Sequence, residues 1–240
     1  MQFFRFNAAQ ALPLLVAAAL MSPVWGPATP ASAQGADCRR ASGLVETAIC
    51  STPALTALDA KIAERYGTAI RNYDAASAEA LCRDQRAFVV ARNATGTRLA
   101  GADLIEELTD QLTRREAFLT DLGNDPLVSV VGRWRNLNGE IVVNQWATGV
   151  LTFTATAADP RGDGWSCEAD GSGDWIDEDE ARFDDISGAA AWSLNVKAQG
   201  ATLVVKETIE NGADGVPYCG SGGTLSGTYF QAVRLPDPSR

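Results

Sequence analysis

The sequence predicts a multidomain α + β protein: a small disulfide-stapled helical bundle followed by an antiparallel β-barrel-like or sandwich domain. Three observations carry this reading. Residues 34–123 are rich in Ala, Leu, Glu and Arg with few turn formers, whereas Gly, Trp, Val and Thr take over from Asp125 onward. Apolar residues recur at spacings of three and four in the first part and fall into short β-rich runs in the second. The turn-forming cluster Gly123, Asn124, Asp125, Pro126 separates the two. Each part has its own apolar pattern, so 34–123 and 126–240 are each expected to fold alone.

Ahead of both, residues 1–33 hold one positive charge at Arg5, the apolar run ALPLLVAAALM and the small triplet Ala31, Ser32, Ala33. That pattern reads as a signal peptide cut near Ala33, which would place the mature chain in the periplasm or outside the cell. The apolar run is too short to cross a bilayer, and no later stretch is long enough, so no membrane span is expected. A lipid anchor on Cys38 would want a leucine three residues earlier, where the chain has Gly35.

The helical part begins with DCRRASGLVETAIC, residues 37–50. Gly43 can cap a short helix, with Glu46 three positions on and Leu44, Ala48 and Ile49 on its apolar side. So short a helix does not hold itself together. A bridge between Cys38 and Cys50 would close a loop of 13 residues and contribute roughly 3 kcal/mol by restricting the unfolded chain. A redox or metal role for this pair is the alternative reading, and the spacing, the compartment and the missing histidines argue against it.

Thr52 then caps a helix starting at Pro53, with Leu55, Leu58, Ile62, Tyr66, Ala69, Ile70 and Tyr73 along one face. A second stripe runs through Leu81, Gln85, Phe88, Val89 and Arg92, and a third through Leu104, Leu108, Leu112, Arg115 and Leu119. Three amphipathic helices on short loops bury their stripes against each other.

Taken together, Cys38, Ala41, Glu46, Ile49, Cys50, Pro53, Leu55, Leu58, Asp59 and Tyr66, and later Gln85, Arg86, Phe88 and Arg92, resemble the N-terminal domain of the LprI-like lysozyme inhibitor family. The resemblance covers residues 38 to about 119. It implies an exported bacterial protein with a helical domain, and the family name implies binding and blocking of lysozyme. The chain departs from the family in lacking a further cysteine pair near RNATGTRLAGAD, and Cys82 stands alone inside a helix. Two readings of that thiol stay open: a buried inert side chain, or an alternative disulfide partner.

In the second part, VGRWRNLNGEIVVNQW, GVLTFTATA, AAAWSLNVKA, ATLVVKETIE and TLSGTYFQAVRL are β-rich segments separated by turn residues. Six to eight antiparallel strands could close into a barrel, which removes exposed edges, or stack as a sandwich. Gly132, Arg133 and Trp134 near the start, with Arg234 near the end, are similar to the tryptophan and arginine that close lipocalin-like barrels. Cys167 and Cys219 are expected to pair, with about 4 kcal/mol from so long a loop. The stretch LSGTYF, residues 225–230, is similar to the Ser-Gly-x-x-Tyr loop of C-type lysozyme inhibitors, but Tyr229 comes one residue early; as plain structure it is a turn followed by a strand.

The run DGSGDWIDEDEARFDD, residues 170–185, is dense in carboxylates and reads first as a solvated acidic loop. Asp170, Asp174, Asp177 and Asp179 are its candidate calcium ligands, although the glycine and glutamate placement of a helix-loop-helix site is missing. No cofactor is expected.

Charge and the absence of histidine bound the function. Lys and Arg number 11 against 13 Asp and Glu in residues 34–124, and 8 against 17 in residues 125–240. An acidic second part repels nucleic acid and would attract a basic protein by long-range steering. With no histidine in the chain, the usual catalytic triads and imidazole metal sites are excluded, and no catalytic residue is assigned. The expected function is therefore that of an exported envelope binding protein with a protein partner, a basic lysozyme first among the candidates. The alternative is a ligand-binding or structural module in which the barrel holds a small apolar molecule or only supports the helical domain.

Overall fold

The fold is that of a computed structural model, which describes residues 35–123, 129–162, 164–209 and 216–232. The expected signal peptide, the linker residues Asn124, Asp125 and Pro126, and Arg234 lie outside them. Among the described residues no helix is long and apolar enough to cross a membrane.

Four helices come first: α1 (Gly43–Ser51), α2 (Pro53–Asn72), α3 (Ala75–Ala94) and α4 (Gly101–Thr120). Thr52 stands at the expected cap position of α2, but its side chain makes no cap hydrogen bond. Its N–H donates to Ala48 O at 3.1 Å to close α1, and Pro53 sits after it at the first position of α2, where a missing N–H costs nothing. At the start of α1 the structure differs from the expected cap. Ser42 occupies the cap position, its N–H donating to Glu46 Oε2 at 2.8 Å, while Gly43 is the first helical residue at φ +80°, a conformation a side chain would strain. A Cys38–Cys50 disulfide, with Cα atoms 5.5 Å apart, ties the entering chain to the end of α1. Cys82 carries a free thiol, half-buried on α3.

Asp74 caps α3 by accepting from the N–H groups of Ala76 and Ser77 at 2.9 and 3.0 Å and from Ser77 Oγ at 2.5 Å. The Ser77 hydroxyl, then its N–H, hold the carboxyl below the usual 3.8 of an aspartate. Asp74→Ala should cost about 1 kcal/mol at neutral pH. A depressed carboxyl contributes stability above its unfolded pKa and loses it as pH falls through the folded value. Melts of both proteins at neutral and strongly acidic pH should thus differ less in acid; an undiminished difference would contradict the charged cap.

The second part is a closed antiparallel barrel, not a sandwich. Its strands are β1 (Gly132–Arg135), β2 (Gly139–Gln145), β3 (Leu151–Ala158), β4 (Ser166–Asp177), β5 (Glu180–Ile186), β6 (Ala189–Gln199), β7 (Thr202–Ile209) and β8 (Gly227–Gln231). Each pairs with the next, and β8 returns to β1 through Trp134↔Gln231 and Arg135↔Phe230. Closure pairs every strand on both sides.

The acidic run is not a loop. It forms β4 and β5, because Gly171 and Gly173 let the strands approach the rings inside: a Cβ at Gly171 would lie 2.8 Å from Phe153 and one at Gly173 2.7 Å from Phe183. Those two rings pack with centroids 4.8 Å apart. Alternation along β3 puts Leu151, Phe153, Ala155 and Ala157 inside and leaves threonines between them. Trp134 is fully buried, its Nε1–H donating to Val130 O at 2.8 Å, while Arg133 pairs with Glu140 at 2.6 Å.

A Cys167–Cys219 disulfide and a β-bridge between the same residues fix the returning segment 216–226 against β4. Glu207 on β7 fastens the rest. Its carboxylate accepts from Tyr218 Oη and Leu225 N, each at 3.0 Å, from Ser226 Oγ at 2.9 Å, and from Thr224 Oγ1. Burial and the neighbouring Glu207 charge push the Tyr218 phenol far above its ordinary value, so it donates rather than ionises. In LSGTYF, Ser226 therefore serves this latch and Tyr229 is buried in the barrel, its hydroxyl donating to Leu225 O at 2.9 Å.

Helices and barrel meet at the β6–β7 turn, β8 and the β1–β2 turn. Phe230 points out of the barrel on the face opposite Tyr229 and joins the helical core, together with Ala201. It stacks on Tyr73 at 6.2 Å and meets Phe118 edge-on at 6.1 Å. Gly123 N donates to Gln231 O at 2.9 Å, so the chain leaving α4 is tied to the last strand.

Candidate functional site

Between α3, α4 and one end of the barrel lies a cleft of about 430 Å³, within the size range of small-molecule sites. Phe88, Ala91 and Arg92 reach it from α3, Gln111, Arg114, Arg115 and Phe118 from α4, and residues 135–140 with Thr156, Ala158, Asp159, Pro160 and Gly162 from the barrel. Helical spacing explains the first two sets: Phe88 and Arg92 are four apart, as are Gln111 and Arg115, so each pair shares a helix face.

Arg115 is the centre of the site. It is 3% exposed, and its guanidinium lies between two rings, 5.1 Å from the centroid of Phe88 and 4.7 Å from that of Phe118. Nε donates to Gln85 Oε1 at 2.9 Å and Nη1 to Asp84 Oδ1 at 2.5 Å. The other oxygen of Asp84 accepts from Leu137 N at 2.9 Å, so one carboxylate joins α3, α4 and the β1–β2 turn. Arg115 Nη2 has no protein partner. Gln111, 8% exposed, donates to Thr95 Oγ1 at 2.9 Å and Glu107 Oε1 at 2.8 Å, and its Oε1 is likewise without a partner. A buried polar atom left unpaired costs about 1–3 kcal/mol, so two of them on one cleft stand out.

Around them the charge is mixed. Arg135 makes only long contacts, 3.5 Å to Asp121 and 3.6 Å to Glu140, and burial followed by the nearby Arg133 charge lowers its pKa. Asp159 is held below the usual aspartate value, first by the Arg161 N–H and then by the Arg161 side chain.

The residues singled out by the family resemblance fall into two sets. Gln85, Phe88 and Arg92 stand at or just behind the cleft. Asp59 pairs with Arg92 at 3.2 Å and also accepts from Ala36 N at 2.5 Å, an ion pair closed off from solvent. Burial pulls the Arg92 pKa down while Asp59 and Glu46 oppose that shift. Ile49 and Tyr66 are core residues, Leu58 packs beside them, Glu46 holds the start of α1, and Arg86 is exposed. Asp84, Gln111, Arg135 and Asp159 carry no signal in the sequence, being ordinary polar residues dispersed over α3, α4, β1 and the turn after β3.

The candidate calcium ligands are not brought together. Asp170 and Asp174 are spread along β4 while Asp177 and Asp179 stand at the β4–β5 turn, where Lys197 contacts Asp179 at 3.5 Å and Glu180 at 3.0 Å. Among the described residues no three His, Cys, Asp or Glu side chains are grouped as a metal site requires. In the barrel, Trp134, Phe153, Phe183, Trp192, Leu194 and Tyr229 belong to one packed cluster.

A second surface lies at the tips of two barrel hairpins. The β2–β3 and β4–β5 hairpins leave the same end of the barrel, as the pairing of Leu151 with Gln145 and Gly173 requires. Their tips expose Trp146 at 64%, Ile176 at 56% and Val150 at 43%. Beside these stand Asp174, Asp177, Glu178, Asp179 and Glu180; Lys197 pairs with Asp179 and Glu180, and Arg182 is the cross-strand neighbour of Asp174. No protein-family model matches this chain, and neither a curated protein nor a solved structure matches it.

Proposed function

We propose that this is an exported binding protein, not an enzyme, and that it recognises a basic protein through the acidic hairpin end of its barrel. The observation that carries this reading is the exposure of Trp146 and Ile176 on neighbouring hairpins among five carboxylates. An exposed aromatic anchor within a charged rim is the usual anatomy of a protein-binding patch. A lysozyme of the animal type is the first candidate partner, since such enzymes are strongly basic and the resemblance of residues 38–119 implies lysozyme inhibition. Complementary fields would speed the encounter, while the apolar side chains would hold the complex.

The protein is expected to slow lysis of cell-wall suspensions by a lysozyme stoichiometrically, with an association rate that falls as salt rises, because charges act over a Debye length of about 10 Å at 0.1 M. Trp146→Ala should weaken the complex by roughly tenfold or more, as truncation of a central aromatic does. Cytochrome c, equally basic, serves as the control. Binding shared by cytochrome c, or indifferent to Trp146→Ala, would reduce the reading to a nonspecific field. Inhibition retained by residues 34–123 alone would move the inhibitory surface to the helices.

A further inference from the structure

We propose that the cleft between α3, α4 and the barrel is a binding site for small amino-carboxylates of the size of a dipeptide, independent of the hairpin surface. Two buried atoms define what the ligand must offer. Arg115 Nη2 is a charged donor without an acceptor, and Gln111 Oε1 is an acceptor without a donor. Both residues line the same cleft, are more than nine-tenths buried, and stand one helical turn apart on α4. A molecule that satisfies both presents an oxyanion next to an N–H or O–H within a few ångströms, which is the arrangement at the carboxyl end of an amino acid or peptide.

The surroundings extend the match. Arg115 is already held rigid by Gln85, Asp84 and the two phenylalanine rings, so ordering it adds little to the cost of binding. Arg135, with only long ion contacts and its guanidinium 5.9 Å from the Phe118 ring, is a second cation for the same carboxylate. Glu107 and Glu140, paired with Gln111 and Arg133, line the cleft as well, and their negative charge favours a ligand carrying an amino group over a simple anion. Ala91, Leu137, Phe118 and Pro160 supply apolar wall for a side chain.

The probe is the dipeptide alanyl-phenylalanine, titrated into the isotope-labelled full chain while the Gln111 side-chain amide and the Arg115 Nε–H are followed by NMR. Saturable shifts of both are expected. The methyl ester of the same dipeptide, which lacks the anionic carboxylate, should bind roughly tenfold more weakly, the loss expected for one charge-assisted hydrogen bond. Ala158→Trp, a change at an exposed position lining the cleft that removes no hydrogen bond, should weaken binding to a similar extent with an unchanged melting temperature. The proposal is overturned if neither signal moves at dipeptide concentrations up to about 10 mM, a very weak limit, if the ester binds as well as the acid, or if Ala158→Trp leaves the affinity unaltered.

Discussion

Phe230→Ala is expected to destabilise the protein by about 3–5 kcal/mol, the range for truncating a fully buried phenylalanine. The side chain has 0% exposure although it stands on the outer face of the barrel. Its burial comes from the helices. Tyr73 stacks on it with an interplanar angle of 3°, and Phe118 meets it at 76°, geometries that add to the area term. Removing the ring leaves a cavity bordered by α2, α4 and β8, which those elements cannot close without breaking the Leu122↔Ala232 bridge and the Gly123–Gln231 hydrogen bond. Urea denaturation measures the loss directly. Phe230→Leu, which keeps most of the volume, should cost much less. Equal small losses for both would show that the helices do not depend on this contact.

Asp84→Ala should be as damaging, by about 3–5 kcal/mol, because it leaves a buried guanidinium without its counter-ion. Arg115 has a side-chain exposure of 2% and Asp84 of 10%, so water does not replace the lost partner. The same change removes the acceptor of Leu137 N and loosens the β1–β2 turn from α3. A charge cluster of this kind is costly to break and inexpensive to replace as a whole. The double substitution Asp84→Leu with Arg115→Met is therefore expected to recover much of the stability lost by either single change. Denaturant midpoints of the four proteins complete the cycle, and additive losses in the double variant would rule out coupling between the two charges. The double variant should also abolish dipeptide binding, since it removes the buried donor while restoring the fold.

Two apolar clusters form, one within the barrel and one mainly among the helices. Phe230 and Ala201 nevertheless belong to the helical one, and composition alone says nothing of this. On β8 Phe230 reads as one more strand residue beside Tyr229. Which of two adjacent aromatics faces the lumen depends on the register with β1 and β7.

What the sequence determined by itself was local. Spacings of three and four specify α2, α3 and α4 because each helix satisfies its own backbone and needs only one apolar face. Pro53 marks a helix start because its fixed φ suits the first helical position. The β character of the second part was legible in the same way, as was the concentration of acid there. Barrel closure, the conversion of residues 170–185 from a presumed loop into β4 and β5, and the meeting of Asp84, Gln111, Arg115 and Arg135 were decided only in three dimensions. Strand partners, lumen packing around Gly171 and Gly173, and polar atoms left unpaired in a cleft depend on residues far apart in the chain, and local periodicity holds no record of which distant groups will come together.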